Sequence, residues 1–152
     1  MCYILLLSTD SDVKLSEYND ALIMFDSELP GLSDEVLLKH PNRWFVGSAH
    51  GCSCGFRHIG TGMFNLGFVE PETWYEEEPD DIEATLRCIK IIRTLIDSGA
   101  KVDCIDVWTN DENTSKHTIT KTVYLGDMNN KQFRFFENHH FVFSSKLNPA
   151  VQ

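Results

Sequence analysis

Nothing in this chain is apolar for long enough to cross a bilayer; no run approaches the roughly 20 residues that a spanning helix needs. Basic residues are also scarce, with 13 lysines and arginines against 23 acids for a net charge of −10. Phosphate backbones and anionic lipid repel such a chain, so direct binding of nucleic acid or of a membrane surface is disfavoured. The apolar start, MCYILLLSTDSD, has no basic residue ahead of it and no small-residue cleavage site, which makes it a poor signal peptide. Catalytic signatures are missing as well: there is no P-loop, no glycine fingerprint for a dinucleotide, no kinase set and no zincin helix. The absence of C-x-x-C removes the usual mark of a thioredoxin-like enzyme. No internal repeat, linker or low-complexity stretch divides the chain.

What is present suits one ordinary domain spanning residues 1–152, with a loose tail from about 146. The length of 152 residues is enough to bury a core without staples, and 42% hydrophobic and 24% charged residues are typical of globular chains. The five cysteines, at 2, 52, 54, 88 and 104, are odd in number and follow no framework spacing. That pattern points to free thiols in a reducing compartment, and the expected location is cytoplasmic.

Cys2–Thr9 reads as a strand buried on both faces. Cys2 itself reads as a small apolar side chain within it; the alternative is a nucleophile exposed by removal of Met1. Asp10–Gly31 reads as a loop followed by a strand at Ala21–Phe25. Ser33–Lys39 should form a helical turn or two before Pro41, started by an imperfect capping box in which Glu35 follows Ser33 by only two residues. Arg43–Ser48 is the next strand, and Gly55–Ile59 and Met63–Val69 read as short extended segments.

The clearest helix is about 79–98. Pro79 suits its first position, Asp80 and Asp81 its first turn, and Ile82, Leu86, Ile89, Ile92 and Ile96 recur at helical spacing, with Cys88 at the margin of that stripe. Ser98-Gly99 should end it. After it come strands at Lys101–Thr109, His117–Leu125, Gln132–Phe136 and His139–Ser144, with a turn at Asn110–Ser115 and a hairpin connection at Gly126–Lys131. The fold class is therefore α+β: a mostly antiparallel sheet of about five to seven strands, one helix on one face, and a C-terminal meander.

Reactive side chains concentrate in RWFVGSAHGCSCGFRHIGTG, residues 43–62. In extended backbone, residues two apart share a side, so Cys52 and Cys54 can face one ion, with His58 returning past Gly55 as a third ligand and His50 in reserve. Thiolate and imidazole suit zinc or Cu(I), although C-x-C is tighter than the usual zinc pair and no second motif completes four ligands. Cys2, His139 or His140 would have to arrive through the fold.

A second reading is nucleophilic or redox thiol chemistry at Cys52 and Cys54, with Arg57 and His58 lowering a thiol pKa. Gly51-Cys52-Ser53-Cys54-Gly55 also satisfies G-x-S-x-G, but the residues after it make a poor helix start for a nucleophile elbow at Ser53. A purely structural reading, with tight glycine turns and buried thiols, stands beside all of these. His117, His139 and His140 read as surface or hydrogen-bonded residues, the last two facing opposite sides of a strand.

Glu70–Glu83 holds eight acids in fourteen residues, with Trp74 and Tyr75 among them. It lacks the spacing of a calcium loop, and a solvated helix start accounts for much of the charge. Two functions of different class remain: a soft-metal or thiol site in the 50–58 block, and a non-catalytic acidic interaction or inhibitor module that meets a basic protein through Glu70–Glu83.

Overall fold

Three consecutive leucines explain the centre of the fold. Leu5, Leu6 and Leu7 are each 1% exposed or less, which a strand achieves only when both of its faces are covered. In the computed structural model, which describes residues 2–72, 77–109 and 118–151, they lie in strand β1 (Cys2–Thr9). Trp74, Tyr75, Glu76, His117 and the expected turn at Asn110–Ser115 fall outside the described residues.

Strand β1 pairs antiparallel with β3 (Asn42–Ser48) on one side and β5 (Val102–Thr109) on the other. With β2 (Ile23–Asp26), β6 (Ile119–Tyr124) and β8 (His139–Ser144) they form a six-stranded sheet in the order β2-β3-β1-β5-β8-β6. Every pairing in it is antiparallel except β6 with β8. Two short strands, β4 (His58–Ile59) and β7 (Phe135–Phe136), form a separate parallel pair.

Helix α1 (Pro79–Asp97) packs on the face that carries Leu5 and Leu7. Its stripe buries Ala84, Thr85, Cys88, Ile89, Ile91, Ile92 and Leu95, so Cys88 lies within the core and not at its margin. Gly99, at φ +95°, ends the helix, and the Ala100 amide donates back to the Leu95 carbonyl at 3.0 Å. The core under α1 is rich in phenylalanine: Phe133, Phe135, Phe136, Phe141 and Phe143 pack mostly edge-on or tilted.

The opposite face is covered by the segment from Leu29 to Leu38, which meets Leu6, Ile105 and Val107. Its 3-10 turn, Ser33–Leu37, begins one residue earlier than the capping pattern suggests. The Leu32 amide donates to the Glu35 carboxylate, which restores the expected three-residue spacing. Among the described residues no helix is long and apolar enough to cross a membrane.

Three further expectations are corrected. Met63–Val69 is not extended, because Thr61–Leu66 winds into a 3-10 turn. The C-terminal strands do not form a meander, since β6 runs parallel to β8 and parallel neighbours require a crossover. Gly126–Lys131 is therefore part of that crossover and not a hairpin; it carries the 3-10 turns Leu125–Asp127 and Asn130–Gln132. Gly126 is needed where the chain passes its own tail: a Cβ there would lie 2.9 Å from the Lys146 carbonyl oxygen. The tail is also held by the Asn148 amide, which donates to Asp127 at 2.5 Å.

Candidate functional site

The residues after β3 build a closed turn. The Ser48 amide donates to the Cys52 carbonyl at 2.7 Å, and the Gly51 amide donates to the Ser48 carbonyl at 2.9 Å, with Gly51 at φ +79°. The Ser48 hydroxyl donates to the Cys52 carbonyl (2.7 Å) and accepts from the Gly55 amide (3.1 Å). A Cβ on Gly55 would stand 2.5 Å from that hydroxyl oxygen, so only glycine fits there.

The pairing of β1 with β3 ends at Leu5 and Val46. Beyond that point the Cys52–Cys54 turn takes the place of β3 beside β1. Ser53 is the staple: its hydroxyl donates to the Val46 carbonyl at 2.6 Å and accepts from the Leu5 amide at 2.8 Å. The Tyr3 amide then donates to the Cys54 sulfur at 3.4 Å. This arrangement brings Cys2 to the turn across fifty residues of sequence, and the Sγ atoms of Cys2, Cys52 and Cys54 all lie within 4.8 Å of one another. Cys2 is exposed, Cys52 and Cys54 are half-buried, and all three are free thiols.

The third member of the cluster is thus Cys2 and not His58. The His58 ring lies flat on Tyr3 at 3.8 Å. Its Nδ1 is 2.7 Å from Asp106 Oδ2, and its Nε2 is 2.6 Å from the Ser53 carbonyl. Both nitrogens are occupied, and neither is left to ligate an ion. His50 is exposed on the turn and is not part of the group.

Arg57 is also engaged elsewhere. Its Nε and Nη2 donate to the two oxygens of Glu77 at 2.7 and 2.9 Å, Nη1 donates to the Lys131 and Phe133 carbonyls, and Nη2 donates to the Val69 carbonyl. All five guanidinium donors are used, and Arg134 shares Glu77 at 3.2 Å. Arg57 therefore closes the core under the acidic segment and does not stabilise a thiolate. Burial, aided by the Cys52 and Cys2 thiols and opposed by the Tyr3 amide, pushes the Cys54 thiol up to about 11, the reverse of what a low-pKa nucleophile requires.

Ser53 is fully buried with its hydroxyl bonded to backbone on both sides, and a 3-10 turn, Ser53–Gly55, takes the place of the helix that a nucleophile elbow needs. His139 packs edge-on against Phe64 and Phe136, its Nδ1 3.0 Å from the Glu137 carbonyl. His140 faces the other side of the sheet, 2.7 Å from Asp103. Both are buried, so neither takes the expected surface position.

Sequence reasoning missed Asp103 and Asp106, two fully buried acids in β5. The available signal was the acids themselves, three apart in an apolar strand, since an interior carboxylate demands a partner. Burial pushes the Asp106 carboxyl above its ordinary value against the pull of His58. No family model matches the chain, and no curated protein or solved structure matches it either.

Proposed function

We propose that the protein binds a thiophilic metal ion, zinc or Cu(I), through Cys2, Cys52 and Cys54. The observation that carries this is the convergence of three free sulfurs from two distant segments to within 4.8 Å of one another. A bound ion with metal–sulfur bonds near 2.3 Å draws three sulfurs to within about 4 Å of each other, so small side-chain rotations suffice. Ser53, His58 and Tyr3 hold the turn; they support the ligands without binding the metal. The test is elemental analysis of reduced protein purified without chelator, alongside Cys2→Ser, Cys52→Ser and Cys54→Ser variants. One equivalent of metal in the parent and its loss in each variant supports the site; unchanged metal content in the variants overturns it.

A second reading has its own observation. Glu78, Asp80 and Glu83 are exposed at the start of α1 and Glu70 and Glu72 in the segment before it, which suits a non-catalytic module that meets a basic protein. Glu77 takes no part, because it is turned inward to Arg57 and Arg134. Neutralising Glu78, Asp80 and Glu83 together should release a bound basic partner in pull-downs, and full retention of every partner removes this reading.

A further inference from the structure

Resting on the metal reading above, we infer that the ion is Cu(I), held by three sulfurs alone, and that it is exchanged with thiol-bearing carriers through Cys2. The donor set comes first. Among the described residues no histidine, aspartate, glutamate or further cysteine has a ligand atom that joins Cys2, Cys52 and Cys54 within 4.8 Å. His58, four residues past Cys54, spends both nitrogens on Asp106 and the Ser53 carbonyl, and His50, two residues before Cys52, is exposed and outside the group. Three soft sulfurs complete the shell of a soft monovalent ion. A structural zinc site asks for four protein ligands, and among the described residues no fourth donor joins the three sulfurs within 4.8 Å.

The three ligands are not equivalent. Cys52 and Cys54 flank Ser53, whose hydroxyl, carbonyl and neighbouring Ser48 bonds pin the turn at both ends. Cys54 also accepts the Tyr3 amide. Cys2 sits at the end of β1, is exposed, and belongs to a separate segment. It is the ligand an incoming thiol meets first and the one whose departure disturbs least.

Exchange then needs no redox step. An incoming thiol loses its proton and forms a sulfur–copper bond, the bond from copper to Cys2 breaks, and the Cys2 sulfur takes up a proton. Copper remains in the +1 state throughout, and the released ion leaves bound to the carrier as the remaining two bonds are replaced in the same way.

The experiment titrates reduced full-length protein with Cu(I) in competition with a chromogenic Cu(I) chelator, and separately with Co(II) as a spectroscopic probe for zinc-type sites. The expected result is one tightly held Cu(I), a copper-edge absorption spectrum fitted by three sulfurs and no nitrogen, and no tetrahedral Co(II) bands. Cys2→Ser should keep Cu(I) on Cys52 and Cys54 with affinity reduced at least tenfold and faster transfer to glutathione. Strong tetrahedral Co(II) bands, or nitrogen in the copper shell, overturn the inference while leaving a metal site in place. Unchanged affinity and transfer rate in Cys2→Ser overturn the exchange role. Failure to bind either ion overturns both this inference and the reading it rests on. The absorption spectrum of the unmodified protein stands even if a variant fails to fold.

Discussion

His58 and Asp106 form a buried pair, Nδ1 to Oδ2 at 2.7 Å, with side chains 4% and 0% exposed. The Ser53 carbonyl can only accept, so Nε2 of His58 carries a proton. A single further proton then lies between Nδ1 and Asp106. The pair ties strand β5 to the carbonyl between the two cysteines of the turn. Removing the ring strands Asp106, whose Oδ1 already has no hydrogen-bond partner among the described residues. His58→Ala should cost about 3–5 kcal/mol at neutral pH in urea unfolding. Asp106 has a raised folded pKa, so its burial penalty fades as pH falls through that pKa. The deficit of His58→Ala should therefore shrink in acid, and a pH-independent deficit rules out a stranded carboxylate.

Arg57 makes a contrasting prediction. It shares Glu77 with Arg134, and all three side chains are 7% exposed or less. Glu77→Gln removes the one charge that both guanidinium groups are seen to share, and should destabilise by roughly 3–5 kcal/mol. Arg57→Lys should also destabilise, because an ammonium cannot reproduce the fork. Neither change should alter the reactivity of the Cys52 and Cys54 thiols while the protein stays folded. A shift in thiol reactivity in folded Arg57→Lys, followed with a chromogenic disulfide, restores the thiolate-stabilising role that the geometry removes.

Local pattern made some of this legible and left the rest out of reach. Strand β1 and helix α1 follow from an apolar run and a 3.6-residue stripe, both of which are local. The direction of β6 is not local: its alternation is the same whether β8 runs beside it parallel or antiparallel. Cys52 and Cys54 are visible as a spaced pair, but Cys2 joins them only through the pairing of β1 with β3 and the turn that follows it, fifty residues away. His58 and Arg57 looked available because their partners, Asp106 and Glu77, sit in segments that read as an ordinary strand and a solvated acidic run. A buried charge chooses its counter-charge in three dimensions, and sequence spacing carries no trace of that choice.

Gly55 tests the turn itself. A Cβ there meets Ser48 Oγ at 2.5 Å and Ser48 Cβ at 2.7 Å. Gly55→Ala should destabilise by about 1–3 kcal/mol, as other overpacked sites do, and should weaken metal binding by displacing Cys54. Ser48→Gly alone loses the hydroxyl that bridges Cys52 and Gly55. It also opens the space that the new methyl needs. The double variant should therefore be more stable than the sum of the two single losses. Strict additivity in thermal melts counts against this packing.

Asp103 carries the acid prediction. It accepts from His140 Nε2 and the Lys39 amide on one oxygen and from Ser8 on the other, while the His40 amide donates to Ser8. Thr120 meets the far side of His140 at 3.3 Å. Burial opposes ionisation of Asp103, but the bonds from His140, Ser8 and Lys39 outweigh it and hold the carboxyl below its ordinary value. A depressed carboxylate contributes stability that is complete above its unfolded pKa, about 3.9, and is lost as pH falls through the folded value. The protein should hold this contribution down to about pH 4 and shed it below. Asp103→Asn keeps the shape but not the charge, and should cost roughly 1–3 kcal/mol at neutral pH. Its stability should then fall less steeply in acid than that of the parent. Equal slopes below pH 4 in paired urea titrations assign the acid loss to other carboxylates and leave the Asp103 network as neutral hydrogen bonding.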